Sequence, residues 1–144
     1  MIKEQCDDHI KKSGNLLPGS IFVSEAGRML CDVIIHVVEP TTFDDQAVNV
    51  YQSSIEKALE EALGRRLQFV AFPLSFGAAF KREVLFATIK QFFEKPESAG
   101  LKSVQFVDDN VEQLKKLEDQ LKEYGFSQTS TGNLSNLSHV QTEM

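Results

Sequence analysis

The chain has little of what marks several large functional classes. Of 144 residues only two are cysteine, Cys6 and Cys31, and they form no CxxC pair. A domain of this length can bury a core without disulfides, so reduced thiols in the cytosol or nucleus are the expectation. No apolar run approaches a membrane span, and the polar start MIKEQCDDHIKK does not read as a signal peptide. Two N-x-S matches, at Asn133 and Asn136, are therefore read as chance occurrences in a polar stretch. Net charge is −6 and the basic residues come only as short pairs, such as Arg65-Arg66 and Lys115-Lys116. A nucleic-acid surface needs a clustered basic face, so neither nucleic acid nor membrane is expected as a partner.

Catalytic and metal signatures are equally sparse. The sequence contains no P-loop, no GxGxxG and no G-x-S-x-G. The histidines, His9, His36 and His139, stand far apart, with no HxxH and no Cys/His cluster at ligand spacing. His36, inside VIIHVV, is read as a hydrogen-bonded sheet histidine. The acidic pairs Asp7-Asp8, Asp44-Asp45 and Asp108-Asp109 lie at helix beginnings, where capping and dipole complementarity account for them. No residue presents itself as a general base, so neither an enzyme nor a cofactor is expected.

The hydrophobic pattern is informative. Residues 4–12 read as a short helix and 20–24 as a strand. The β-branched run 31–38, CDVIIHVV, suits a strand buried on both faces of a mostly parallel sheet. Capping candidates at 42–45 open a helix over 46–63, with Val48, Tyr51, Ile55, Ala58, Leu59 and Ala62 on one stripe and Gly64 as its stop. A strand over 67–72, a well-buried helix over 82–94 and a strand over 101–107 follow. A last helix carries the stripe Val111, Leu114, Leu117, Leu121 and Tyr124, and ends at Gly125. Residues 127–144 are rich in Ser, Thr, Asn and Gln and read as a disordered tail. Strand–helix alternation predicts βαβ units, hence an α/β fold in residues 1–126.

One corner stands out chemically. In FVAFPLSFGAAF, residues 69–80, the strand breaks into Ser75, Phe76, Gly77, Ala78, Ala79 and Phe80 before the next helix. Ligands of open α/β sheets bind beyond the carboxyl ends of strands, and a helix start favours an anion. Small residues there let a phosphate approach the backbone. The bland alternative is a small-residue strand-to-helix corner without a ligand.

Four blocks resemble, in order, the C-terminal part of a macro domain, most closely those of the large macro-domain-containing poly-ADP-ribose polymerases. They are GSIFVSEAGRMLCDVIIHVVEP (19–40), VYQSSIEKALEEA (50–62), LQFVAFPLSFGAAF (67–80) and LKSVQFVDDNVEQLKKLEDQL (101–121). The resemblance implies a three-layer α/β/α arrangement with a mixed, mostly parallel sheet, here lacking the N-terminal strands. It also implies binding of ADP-ribose or ADP-ribosylated proteins, in the cytoplasm and/or nucleus. By that likeness Ser75, Phe76, Gly77, Ala78 and Ala79 wrap the diphosphate and Phe80 packs near the distal ribose. The chain departs from the family at Phe76, where Thr is usual, at Lys81, where Pro is common, and at Asp108, where many members place an adenine-stacking aromatic. No Asn-rich or Gly-rich family stretch is present. The expectation is a recognition module weakened by truncation and a divergent loop, with possible self-association through an exposed sheet edge. The alternatives are a degenerate macro-like interaction module without nucleotide binding and, third, an ADP-ribosyl hydrolase.

Overall fold

A computed structural model describes residues 2–14, 16–73, 75–76, 80, 82–134 and 137–143. The chain divides into two compact units, Met1–Ala58 and Leu59–Met144.

The first unit opens with α1 (Ile2–Ser13), which has Glu4 in its first turn and Lys11 and Lys12 in its last. These charges match the helix dipole. The helix closes with the Gly14 N–H donating to the Ile10 carbonyl at 2.8 Å. β1 (Ile21–Glu25) and β2 (Val33–Val37) form an antiparallel pair with Phe22 opposite His36 and Ser24 opposite Ile34. The run 31–38 was expected in a mostly parallel sheet, buried on both faces. Among the described residues β2 instead pairs with β1 alone and is half-buried throughout. Its β-branched composition reports strand propensity, which does not distinguish a hairpin from a central parallel strand.

α2 (Asp45–Gly64) runs from the first unit into the second. Asp44 is its N-cap, its Oδ1 accepting from the Ala47 N–H at 2.8 Å. Ala47, Tyr51, Ser54, Ile55, Ala58, Leu59 and Ala62 are buried, close to the stripe expected from the sequence. Ser54 is made tolerable there by donating its hydroxyl to the Tyr51 carbonyl at 2.6 Å. Burial, with Glu39 adding a smaller effect, pushes the Tyr51 hydroxyl above its ordinary value.

Gly64 does not provide the stop. The Leu67 N–H donates to the Ala62 carbonyl at 3.0 Å and the Arg66 N–H to Leu63 at 3.0 Å. That is a Schellman ending whose left-handed position is Arg66, at φ 60. α4 ends in the same way with Gly125, at φ 78, in the corresponding place.

The second unit contains β3 (Phe69–Pro73), α3 (Arg82–Glu94), a 3-10 turn at Pro96–Gly100, β4 (Ser103–Asp108), α4 (Val111–Glu123), β5 (Ser127–Leu134) and β6 (Leu137–Glu143). Its sheet order is β3-β4-β6-β5. β3 and β4 are parallel, with α3 in the connection between them, and the other two pairings are antiparallel. The fold is thus α/β with a mixed sheet, and among the described residues its parallel content is the β3–β4 pair.

The core of this unit is aromatic. Phe72 and Phe106 are opposite each other in the sheet, with ring centroids 6.1 Å apart. Phe86 on α3 lies edge-on to Phe106 at 5.7 Å and to Tyr124 at 5.6 Å. Leu85, Ile89, Phe92, Leu114, Leu117 and Leu121 are buried with them. Lys90 donates to the Tyr124 carbonyl at 3.0 Å, placing a cation at the C-terminal end of α4.

Residues 127–144 were expected to be a disordered tail. Over 127–134 and 137–143 they form a hairpin, with β6 added to the open side of β4 from Ser103↔Glu143 to Asp108↔Ser138. Low apolar content argued for disorder, but strand addition is driven by backbone groups. β4 would otherwise leave one row of N–H and C=O groups without sheet partners, and Ser/Thr-rich segments can supply them.

Candidate ligand cleft beyond strands β3 and β4

Because β3 and β4 are parallel and in register at Pro73↔Val107, their carboxyl ends open on the same side. Each leads into a 13-residue helix, β3 through 74–81 into α3 and β4 through Asp109-Asn110 into α4. Two strand-to-helix corners therefore stand side by side, the place where open α/β sheets hold ligands. A cleft of about 310 Å³ occupies it, lined by Pro73, Ser75, Arg82, Val107, Asp108 and Gln113. Adjoining it is a void of about 10 Å³ among the apolar Pro73, Phe76, Leu85, Phe86, Phe106 and Leu117, with Arg82 shared between the two spaces. A space of that size is at the limit for one water, so a ligand is confined to the open cleft.

The polar groups differ in their availability. At the start of α4, Asn110 Oδ1 accepts from the N–H groups of Glu112 at 3.0 Å and Gln113 at 3.3 Å. Asp108 Oδ1 in turn accepts from the Asn110 N–H at 3.2 Å. These bonds commit two of the orphan donors of α4 internally. Arg82, the first residue of α3, brings a permanent cation to the lining. The cleft thus carries a positive charge where α3 begins and a carboxylate, Asp108, beside the start of α4. Val107 and Pro73 form the apolar wall between them.

The structure distributes the residues picked from sequence unevenly. Ser75 is exposed on the cleft lining. Phe76 donates its N–H to the Pro73 carbonyl at 3.0 Å, sets its ring 5.2 Å from Phe72 and lines the adjoining void. Phe80 is buried, 8% exposed. Gly77, Ala78 and Ala79 lie outside the described residues. Arg82, Asp108 and Gln113 were not picked as site residues. Arg82 was findable as the first residue of the helix after the corner, and Asp108 as the last residue of the parallel neighbour. Gln113 becomes visible only once the two corners are known to be adjacent.

Elsewhere, His36 is a hydrogen-bonded sheet histidine, with Ser24 Oγ 2.8 Å from its Nε2. Among the described residues no group of three or more His, Cys, Asp or Glu side chains could hold a metal ion. No helix among them is long and apolar enough to cross a membrane.

A family model for the macro domain matches residues 1–81, more than half of the chain. The chain belongs to the macro domain family. Its macro-domain relatives include the macro domain-containing protein lmo2759 of Listeria monocytogenes. That protein is 29% identical over 120 residues, covering 78% of this chain and 68% of its own length. The human protein mono-ADP-ribosyltransferase PARP14 is 26% identical over 131 residues, which is 84% of this chain and 7% of that much longer protein. An uncharacterized protein of Sulfolobus acidocaldarius is 27% identical over 73 residues, covering 51% and 40% of the two chains. The family match ends at the β3–α3 corner. The PARP14 match covers too much of the chain to leave out that corner or the end of β4. The family model thus includes β3 and Ser75 and stops before Arg82 and the β4–α4 corner.

Proposed function

We propose that this macro domain recognises ADP-ribose, free or carried on proteins, in the cleft beyond β3 and β4. The observation that carries the reading is the meeting of two parallel strand ends, with Ser75 and Arg82 on one corner and Asp108 and Gln113 on the other. Macro domains generally bind ADP-ribose or ADP-ribosylated proteins, and the likeness to PARP14 points the same way. In this reading Arg82 attracts the diphosphate by charge-assisted hydrogen bonds, helped by the start of α3. Asp108 accepts from hydroxyl or amine donors of the nucleoside, and Gln113 can both donate and accept. Pro73 and Val107 offer apolar contact to the sugar or base.

In this reading the module is a binder and not a hydrolase, Asp108 serving as an acceptor that orients the ligand. Binding is weak in this reading: the cleft is shallow and its polar groups are few, so little ligand surface is desolvated to offset the cost of association. Calorimetric titration with ADP-ribose is expected to give a Kd of roughly 0.1–1 mM. Arg82→Glu and Gly77→Glu should each abolish the heat. No heat at millimolar ADP-ribose would leave the degenerate interaction module as the better account. Cys6 and Cys31 are both free thiols, which suits the reducing cytosol or nucleus as its place of work.

A further inference from the structure

The first unit holds a side-chain cluster distinct from the cleft. Cys6 on α1 and Ser24 on β1 both meet Nε2 of His36 on β2, Cys6 Sγ at 3.8 Å and Ser24 Oγ at 2.8 Å. Neighbouring contacts hold α1 in place: Gln5 Oε1 accepts from the Glu25 N–H at 2.9 Å, and the His9 ring stacks on Phe22 at 4.2 Å. Phe22 stacks in turn on His36 at 5.5 Å. Ser24 is buried, whereas Cys6 is half-buried and open to a small reagent.

One ring nitrogen facing both a hydroxyl and a thiol has a single proton position to share. Ser24 has a second acceptor, the Glu25 carbonyl at 3.1 Å. When the Ser24 hydroxyl donates there, the Nε2 lone pair is left for the Cys6 S–H. Once that proton has moved to the ring, Nε2–H donates to Ser24 Oγ, while Ser24 still donates to Glu25. Ser24 thus favours the protonated ring, accepting from Nε2–H at 2.8 Å while donating to Glu25, which assists transfer of the thiol proton to His36.

We propose that Cys6 is a nucleophilic thiol that adds to soft carbon electrophiles of the α,β-unsaturated carbonyl class, with His36 as its base and Ser24 as a positioning residue. The thiol proton passes to His36 Nε2 and the S–C bond forms at the β-carbon. The C=C electron pair moves into the enolate, and the α-carbon then takes the proton back from His36. The product is a thioether that retains every atom of both reactants.

Cys31, exposed in the turn between β1 and β2, is the internal comparison. Accessibility alone makes Cys31 the faster thiol. Assistance by His36 reverses the order. The full-length chain is pulsed with N-ethylmaleimide and the adduct at each cysteine is quantified by peptide mass spectrometry. Cys6 is expected to react roughly tenfold faster than Cys31, partial burial offsetting some of the ~10²-fold of a positioned base. The ratio should fall to about one in concentrated urea, as a base placed only by folding requires. His36→Gln should slow Cys6 below Cys31, and added imidazole should restore part of the rate in His36→Ala. Ser24→Ala should slow Cys6, and Ser24→Thr, which returns the hydroxyl, should recover it. A native chain in which Cys6 reacts no faster than Cys31 overturns the proposal without any variant. A fast Cys6 that stays fast in His36→Gln overturns the assignment of the base.

Discussion

Replacing Arg66 by glycine is expected to stabilise the protein, although Arg66→Gly removes a charged side chain and adds a flexible residue. Arg66 occupies the left-handed position of the ending of α2, at φ 60. An L-residue there is strained by roughly 1–2 kcal/mol, because Cβ crowds the following carbonyl. Glycine relieves that strain but loses roughly 0.5–1 kcal/mol more entropy on folding. The net gain is about 0.5–1 kcal/mol, or a rise in Tm of roughly 2–4 °C for a chain of this size. The Schellman bonds do not involve the side chain, so the substitution leaves them intact. Gly125 supplies the reciprocal test, at φ 78 in the matching position of α4, where an added Cβ would stand 4.0 Å from Lys90 Nζ. Gly125→Ala therefore meets no clash, only the backbone strain, and should destabilise by about 0.5–1 kcal/mol. Urea denaturation of both variants with the parent decides the matter. If Arg66→Gly lowers the midpoint, or Gly125→Ala raises it, the reasoning from φ is refuted.

Three other perturbations probe separate parts of the structure. Phe86→Ala empties a position between Phe106 and Tyr124 and should cost about 3–5 kcal/mol by urea denaturation; a loss under about 1 kcal/mol would show that this cluster does not hold the second unit together. Asn110→Ala removes the acceptor for two N–H groups of α4 and should cost about 1 kcal/mol, with Asn110→Asp close to neutral. The Tyr51 hydroxyl keeps its proton in the folded chain to higher pH than the ordinary 10.0. Above pH 10 the unfolded chain therefore binds fewer protons than the folded one, and stability falls as pH rises, by up to about 1.4 kcal/mol per pH unit. Tyr51→Phe should flatten that alkaline decline, and an unchanged slope in denaturation midpoints above pH 10 would contradict it.

Periodicity made most of the elements legible. The stripe of α2 survives almost intact, and α3 and β4 begin and end close to where pattern and punctuation place them. Most of what the pattern does not reveal depends on neighbours remote in sequence. α3 is well buried as its composition predicts, but that Phe86 sits between Phe106 and Tyr124 follows only from the fold. β5 and β6 carry little hydrophobic signal, since the free side of β4 organises them through the backbone. Gly64 looked like a terminator from composition, whereas the hydrogen bonds place the left-handed residue two positions later, at Arg66. The cleft followed the same pattern. Ser75 could be read from its own corner, but Asp108 and Gln113 join it only through the parallel pairing of β3 with β4.

The most direct test of ADP-ribose recognition is a titration of isotopically labelled protein followed by amide chemical shifts. The account predicts that the largest shifts gather at Ser75, Arg82, Asp108 and Gln113, saturate together, and vanish in Arg82→Glu. Saturable shifts confined to other parts of the chain, or no shifts at millimolar ADP-ribose, would contradict it.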